Sequence, residues 1–173
     1  LSQIELSLGN ISRSLRLAKK ALGEARKVYW DHSKRDYLVS YSQIGIGSIY
    51  IKKNKLSKAE RYIKHGLATC SRNSNKNGEG YALTMLGEIE LLRGNLKKSE
   101  DYYQESLTLS RHFGYLPIEV ESLLGLAKIR LREGDYKLSE KIASESLAIS
   151  QFMDSFELME ESSKLIGDIR THV

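Results

Sequence analysis

Between Leu86 and Leu107 the apolar residues fall at Leu86, Ile89, Leu92 and Leu96, then at Tyr103 and Leu107. Steps of three and four place them on one face of a helix, not on alternate sides of a strand. Gly94-Asn95 interrupts the run: glycine accepts the left-handed conformation that closes a helix, and asparagine caps the next one. The segment therefore reads as a helical hairpin. Its ending recurs forty residues later, from Leu131 to Leu147, and forty residues earlier, from Ile51 to Leu67. A fixed period of this size is the mark of stacked repeats. Nine helices are expected, over residues 1–8, 11–29, 35–52, 56–72, 78–93, 96–113, 117–132, 136–152 and 155–171.

Small residues recur in register. One column holds Gly47, Gly87, Ala127 and Gly167, a second Ser14, Ala59, Ser99 and Ser139, and a third Ala21, Gly66, Ser106 and Ser146. Small side chains at matched positions let paired helices approach closely, with large neighbours interlocked around them. Ser33-Lys-Arg-Asp36 and Asp154-Ser-Phe-Glu157 have the form of capping boxes. Pro117 suits a first helical position after Gly114 has ended the preceding helix. Asn73–Gly78 reads as the most flexible connection, and the one around Trp30 as about five residues longer than its counterparts.

On these columns the chain resembles the tetratricopeptide repeat family. Ile46-Gly47 and Leu86-Gly87 match its Leu-Gly pair, Tyr50 its first-helix tyrosine, Gly94 and Gly134 its turn glycine, Tyr136 its turn aromatic, and Ala59 and Tyr103 its second-helix positions. The period is forty where the family standard is about thirty-four, and the tyrosine column turns into Glu90, Arg130 and Arg170. The closing proline is missing. The longer period resembles the long-helix repeats of bacterial regulators, such as ATP-dependent transcription activators and quorum-type regulators. The resemblance implies an all-α fold, a right-handed superhelical solenoid of stacked antiparallel hairpins. The expected organisation is one array over residues 1–173, with a partial repeat at 1–30, repeats at about 36–75, 76–115 and 116–154, and a half repeat at 155–173. Because both ends cut through the pattern, the chain reads as a segment of a longer solenoid whose truncated ends could self-associate.

Composition narrows the field. Charged residues make up 28% and hydrophobic residues 40%, ordinary values for a globular protein. No apolar run approaches the roughly twenty residues that span a bilayer, and no signal peptide is visible. The lone Cys70 fits a reducing, cytoplasmic setting. From Arg13 to Lys76 sixteen Lys and Arg face four acids, whereas from Asn77 onward eleven face seventeen. The basic stretch (Arg13, Arg16, Lys19, Lys20 and Lys27, then Lys52, Lys53, Lys55 and Lys58) could contact nucleic acid by releasing counterions. It has no recognition helix or aromatic platform beside it, and a solvated outer face or an acidic partner is the favoured reading.

Catalytic signatures are missing. The four histidines lack HExxH spacing, Cys70 lacks a CxxC partner, and Gly78-Glu-Gly80 is neither a P-loop nor a dinucleotide fingerprint. No enzyme activity, cofactor or metal is expected. Tyr41 and Tyr81 lie one period apart, in a column continued by Glu121 and Glu161. The resemblance places that column in the inner groove, with Ile44, Ser48, Ile51 and Lys52, then Thr84, Glu88 and Leu91, then Leu124, Lys128, Leu131 and Arg132, and finally Lys164 and Asp168. The candidate partner-binding residues are therefore Tyr41, Ser48, Lys52, Tyr81, Glu88, Glu121, Lys128, Arg132, Lys164 and Asp168. Aromatics with both signs of charge suit an extended peptide or a partner's helix. Packing of the two tyrosines against neighbouring hairpins stands beside that reading. The expectation is a protein-interaction scaffold in a regulatory or signalling protein. The alternatives are a ligand- or signal-peptide-sensing domain of a transcription regulator, and nucleic-acid contact through the basic half.

Overall fold

The computed structural model describes residues 10–28 and 30–172. Among them eight helices succeed one another without a strand: α1 (Ile11–Arg26), α2 (His32–Lys52), α3 (Leu56–Arg72), α4 (Lys76–Arg93), α5 (Leu96–Phe113), α6 (Leu116–Glu133), α7 (Tyr136–Phe152) and α8 (Phe156–Arg170). The all-α fold of helix hairpins is the one expected. The helix expected over residues 1–8 lies outside the described residues. The chain falls into two compact units, Leu1–Met85 and Leu86–Val173, and the boundary lies within α4.

The helix ends follow one rule. Asn54, Gly94 and Gly134, then Ser74, Gly114 and Asp154, all have φ between 53° and 83°. In each case the following amide bonds back to the carbonyl five residues earlier, as in Asn95 N to Glu90 O (2.9 Å) and Ser155 N to Ser150 O (3.1 Å). These bonds satisfy carbonyls that the last helical turn would otherwise leave orphaned. Asp154 is thus the left-handed closing residue of α7 and not the cap of a box; Ser155 takes the cap position of α8 without a side-chain hydrogen bond. The box expected at Ser33 is also replaced. Asp31 caps α2 by accepting the amide of Lys34 at 2.8 Å, so the helix starts before Ser33. Pro117 is the second residue of α6, and α4 already starts at Lys76, inside the segment expected to be most flexible. The connection holding the exposed Trp30 is five residues, 27–31, against two or three elsewhere.

In residues 1–85, α2 packs on α1 and α3 around Ile44, Ile46, Ile63 and Cys70. Leu22 and Ala25 cover the first helix's inner side. In residues 86–173, α6 is enclosed by α5, α7 and α8. Val120, Leu124, Ala127, Ala143, Leu165, Ile166 and Ile169 form one cluster; Leu91, Tyr103, Leu107, Leu123, Leu126 and Ile129 form a second. Burial of such side chains contributes roughly 1.5–3 kcal/mol each. Buried serines tie the same helices together. Ser99 Oγ donates to Gly87 O at 2.7 Å and Ser139 Oγ to Ala127 O at 2.8 Å; the hydroxyls of Ser106 and Ser122 meet at 3.0 Å, as do those of Ser146 and Ser162.

Most of the small-residue columns are therefore helix contacts, with two exceptions. Ala21 is exposed, because α1 turns inward through Ser14, Ala18, Leu22 and Ala25. Gly167 is exposed too, and α8 buries Ser162, Leu165, Ile166 and Ile169 instead. Leu92, expected on the apolar face, is 48% exposed, and Leu91 takes the buried place. A one-residue step on a helix turns a side chain by about a quarter of a circle, which decides between core and solvent.

Candidate functional site

Within residues 86–173 the expected positions from α4, α6 and α8 come together. Lys128 Nζ lies 2.9 Å from Glu161 Oε1. Arg132 donates to the carbonyl of Leu91 at the end of α4, which also accepts the amide of Gly94 at 3.1 Å. Glu121 stands about two turns before Lys128 on α6, and the charges of Glu161, Glu88 and Glu157 reach it. As a residue Glu121 is partly exposed, but its Oε2 is shut off from solvent and has no hydrogen-bond partner. Burial first, then those three carboxylates, push its pKa up to about 7, with Lys128 opposing. Beneath them the buried Tyr103 of α5 has its pKa raised by burial and then by Glu88, Glu121 and Glu161. Lys164 and Asp168 stand exposed farther along α8.

Three residues of this site were missing from the candidate set. Glu161 was legible as the continuation of the Tyr41 column. Tyr103 matched a second-helix packing position, which says nothing about charges near its hydroxyl. Glu157 was legible only as the acid of a capping box. Four positions that the resemblance placed in a groove are core instead: Ile44, Thr84, Leu91 and Leu124 are all at most 5% exposed. Ile51, at 7%, is buried as well. Each is apolar or small enough to fill the space beside a neighbouring helix.

In residues 1–85 the arrangement differs. Tyr41 donates to Asn77 Oδ1 at 2.8 Å and its ring lies 4.6 Å from that of Tyr37. Its pKa is raised, by burial first and then by Tyr37. Tyr81 and Ser48 are half-buried, and Lys52 is exposed. Near Tyr37 a cavity of about 190 Å³ is lined by Ser33, Asp36, Ser40, Thr69, Cys70, Asn73 and Asn75. Asp36 is held by Arg35 Nε at 3.1 Å and Asn73 Nδ2 at 3.2 Å, and burial pushes the Cys70 thiol up. The basic residues of α1 (Arg13, Arg16, Lys19 and Lys20) are exposed, and Lys19 reaches to 5.9 Å from the ring centre of Tyr50.

Residues 80–151 match the family model of the tetratricopeptide repeat. The fold is tetratricopeptide-like. The crystal structure of BtubC (BKLC) from P. vanneervenii superposes with a TM-score of 0.76 over 99% of this chain and 70% of that one, at 14% identity. Nearly identical TPR-like repeats of a proposed kinesin light chain from Podosopora anserina superpose at 0.64 over 99% and 90%, at 11% identity. No curated protein matches in sequence. At these identities the likeness shows the fold. Tetratricopeptide repeats generally serve as non-catalytic scaffolds that bind protein partners, and the carboxylates, lysine and arginine on α4, α6 and α8 are suited to polar recognition. No helix among the described residues is long and apolar enough to cross a membrane.

Proposed function

We propose that this chain is a protein-interaction scaffold without catalytic activity, a segment of a cytoplasmic regulatory or signalling protein built on long repeats. It captures an extended peptide or a partner's helix. The observation that supports this reading is the gathering of Glu88, Glu121, Lys128, Arg132 and Glu161 from α4, α6 and α8 on residues 86–173. Polar groups of both signs, backed by a packed core, supply orientation and specificity to a bound chain. Tyr41 and Tyr81 of residues 1–85 are the aromatic candidates for a further contact, although Tyr41 already bonds to Asn77. The buried, unpaired Cys70 accords with a reducing compartment.

A screen of short random peptides, followed by mapping the binders through amide chemical shifts, tests the reading. Shifts should concentrate on Glu88, Glu121, Lys128, Arg132, Lys164 and Asp168. Binders that perturb only α5 and α7 would refute it. A second reading, a ligand-sensing domain, draws support from the polar cavity beside Cys70. Shifts confined to Asp36, Tyr37 and Asn73 on adding a small metabolite mixture would favour that one.

A further inference from the structure

The described cations on the α6 stripe are already engaged. Lys128 is bound to Glu161 at 2.9 Å, and Arg132 to the carbonyl of Leu91. Glu121 is left among carboxylates, with Glu88 from α4 and Glu157 and Glu161 from α8 close enough to oppose its charge. Its Oε2 is enclosed and lacks any hydrogen-bond partner. An enclosed carboxyl oxygen without a partner is costly whether the group is charged or neutral, because water's hydrogen bonds are lost and not replaced.

We propose that Glu121 is the receptor for one basic side chain, lysine or arginine, of an extended partner peptide. This rests on the peptide-binding reading above and adds the chemistry of the partner. A cation with N–H donors supplies both missing things: a hydrogen bond for the orphan oxygen and a charge to offset the neighbouring acids. A partner's carboxylate would be repelled by the same neighbours, and a neutral amide would supply only the bond. The terminal torsion of a glutamate is broad and two-fold, so either oxygen can turn toward the incoming donor.

The preference runs against the charge of the whole chain. A net charge of +5 would by itself favour acidic peptides. Residues 86–173, with eleven Lys and Arg against sixteen Asp and Glu, have the opposite sign. The groups facing Glu121 are Glu88 of α4, Tyr103 of α5, Lys128 of α6 and Glu157 and Glu161 of α8. With its pKa near 7, Glu121 holds a proton in mildly acidic solution. A bound cation displaces that proton, so capture strengthens as the pH rises through neutrality.

The test is an array of random peptides, some carrying a single lysine or arginine and some lacking both, probed with the 173-residue chain at pH 6 and pH 8. At pH 8 the basic peptides should be enriched roughly tenfold, the size of one charge-assisted hydrogen bond, and less at pH 6. Glu121→Gln should abolish both the enrichment and its pH dependence; Glu105→Gln, at an exposed site on α5, should keep both. Circular dichroism confirms that the variants fold. Peptides held without a basic preference, or a preference that survives Glu121→Gln, would overturn the assignment while leaving the peptide-binding reading standing. If no peptide is held at either pH, both fall together.

Discussion

The ring of Tyr103 lies directly against the backbone of Gly125, so that a Cβ at Gly125 would come within 2.2 Å of its Cζ. A Cβ at Gly87 would meet the same ring less tightly, at 2.9 Å from Cε1. Tyr103 on α5 thus occupies the space left by glycines on α4 and α6. Alanine in a helix gains about 1 kcal/mol over glycine, while overpacking costs about 1–3 kcal/mol. At Gly125 the overpacking should win, and Gly125→Ala should lose about 1–2 kcal/mol in denaturant unfolding. Gly87→Ala should lie near zero, and Gly45→Ala, with nothing within 4 Å of the added Cβ, should stabilise. Equal effects at the three sites would show that the Tyr103 contact is not what distinguishes them.

Glu121 makes the fold sensitive to pH in one direction. Its pKa of about 7 lies above the ordinary value of 4.5, so the folded chain keeps a proton that the unfolded chain releases between those values. The associated stability is complete below the ordinary value and is lost as the pH rises toward 7. Glu121→Gln should therefore match the parent in acid and exceed it by about 1–3 kcal/mol at pH 8. Parallel stability curves for the two proteins would contradict this.

Glu90 should slope the other way. Burial works to raise its pKa, but hydrogen bonds from Lys98 and Asn95 and the charges of Lys98 and Arg93 hold it below the ordinary carboxylate range. Its stabilising effect is present above that range and vanishes as the pH falls through its lowered folded-state value. Glu90→Gln should cost about 1–3 kcal/mol at neutral pH, since it removes the buried charge to which Lys98 and Arg93 bond. Urea titrations in progressively stronger acid should show the difference shrinking; a constant gap would exclude an electrostatic origin.

Cys70 offers a check on the cavity in residues 1–85. Its side chain is buried and burial raises its thiol pKa, so little thiolate forms near neutrality. Labelling by a bulky disulfide reagent should run at least about a hundredfold slower in the folded chain than in denaturant. Labelling at the unfolded rate would mean that α3 and the segment 73–75 open readily.

Local chemistry made much of the architecture legible in the sequence. Apolar steps of three and four are enough to name helices, and left-handed turn residues such as Gly94 and Gly134 mark where they stop. The serines at 99 and 139 announced close helix pairs because few other roles suit a small residue repeated in register. Where several residues could play one part, prediction slipped. Asp31 outcompeted Ser33 as a cap, and Leu91 displaced Leu92 from the core, each by a shift too small for a periodic pattern to resolve.

The sequence by itself determined the helices, their order and their pairing into hairpins, since each follows from residues within about forty positions of one another. It also placed Glu121, Lys128 and Arg132 on one stripe of α6. Only the tertiary structure decided what those side chains meet: that Lys128 is engaged by Glu161, that Arg132 bonds to the end of α4, and that Glu121 is left with an enclosed oxygen among acids. Helical periodicity fixes the direction of a side chain. Its proton affinity depends on burial and on charges brought from distant parts of the chain, and those distances exist only after the helices have packed.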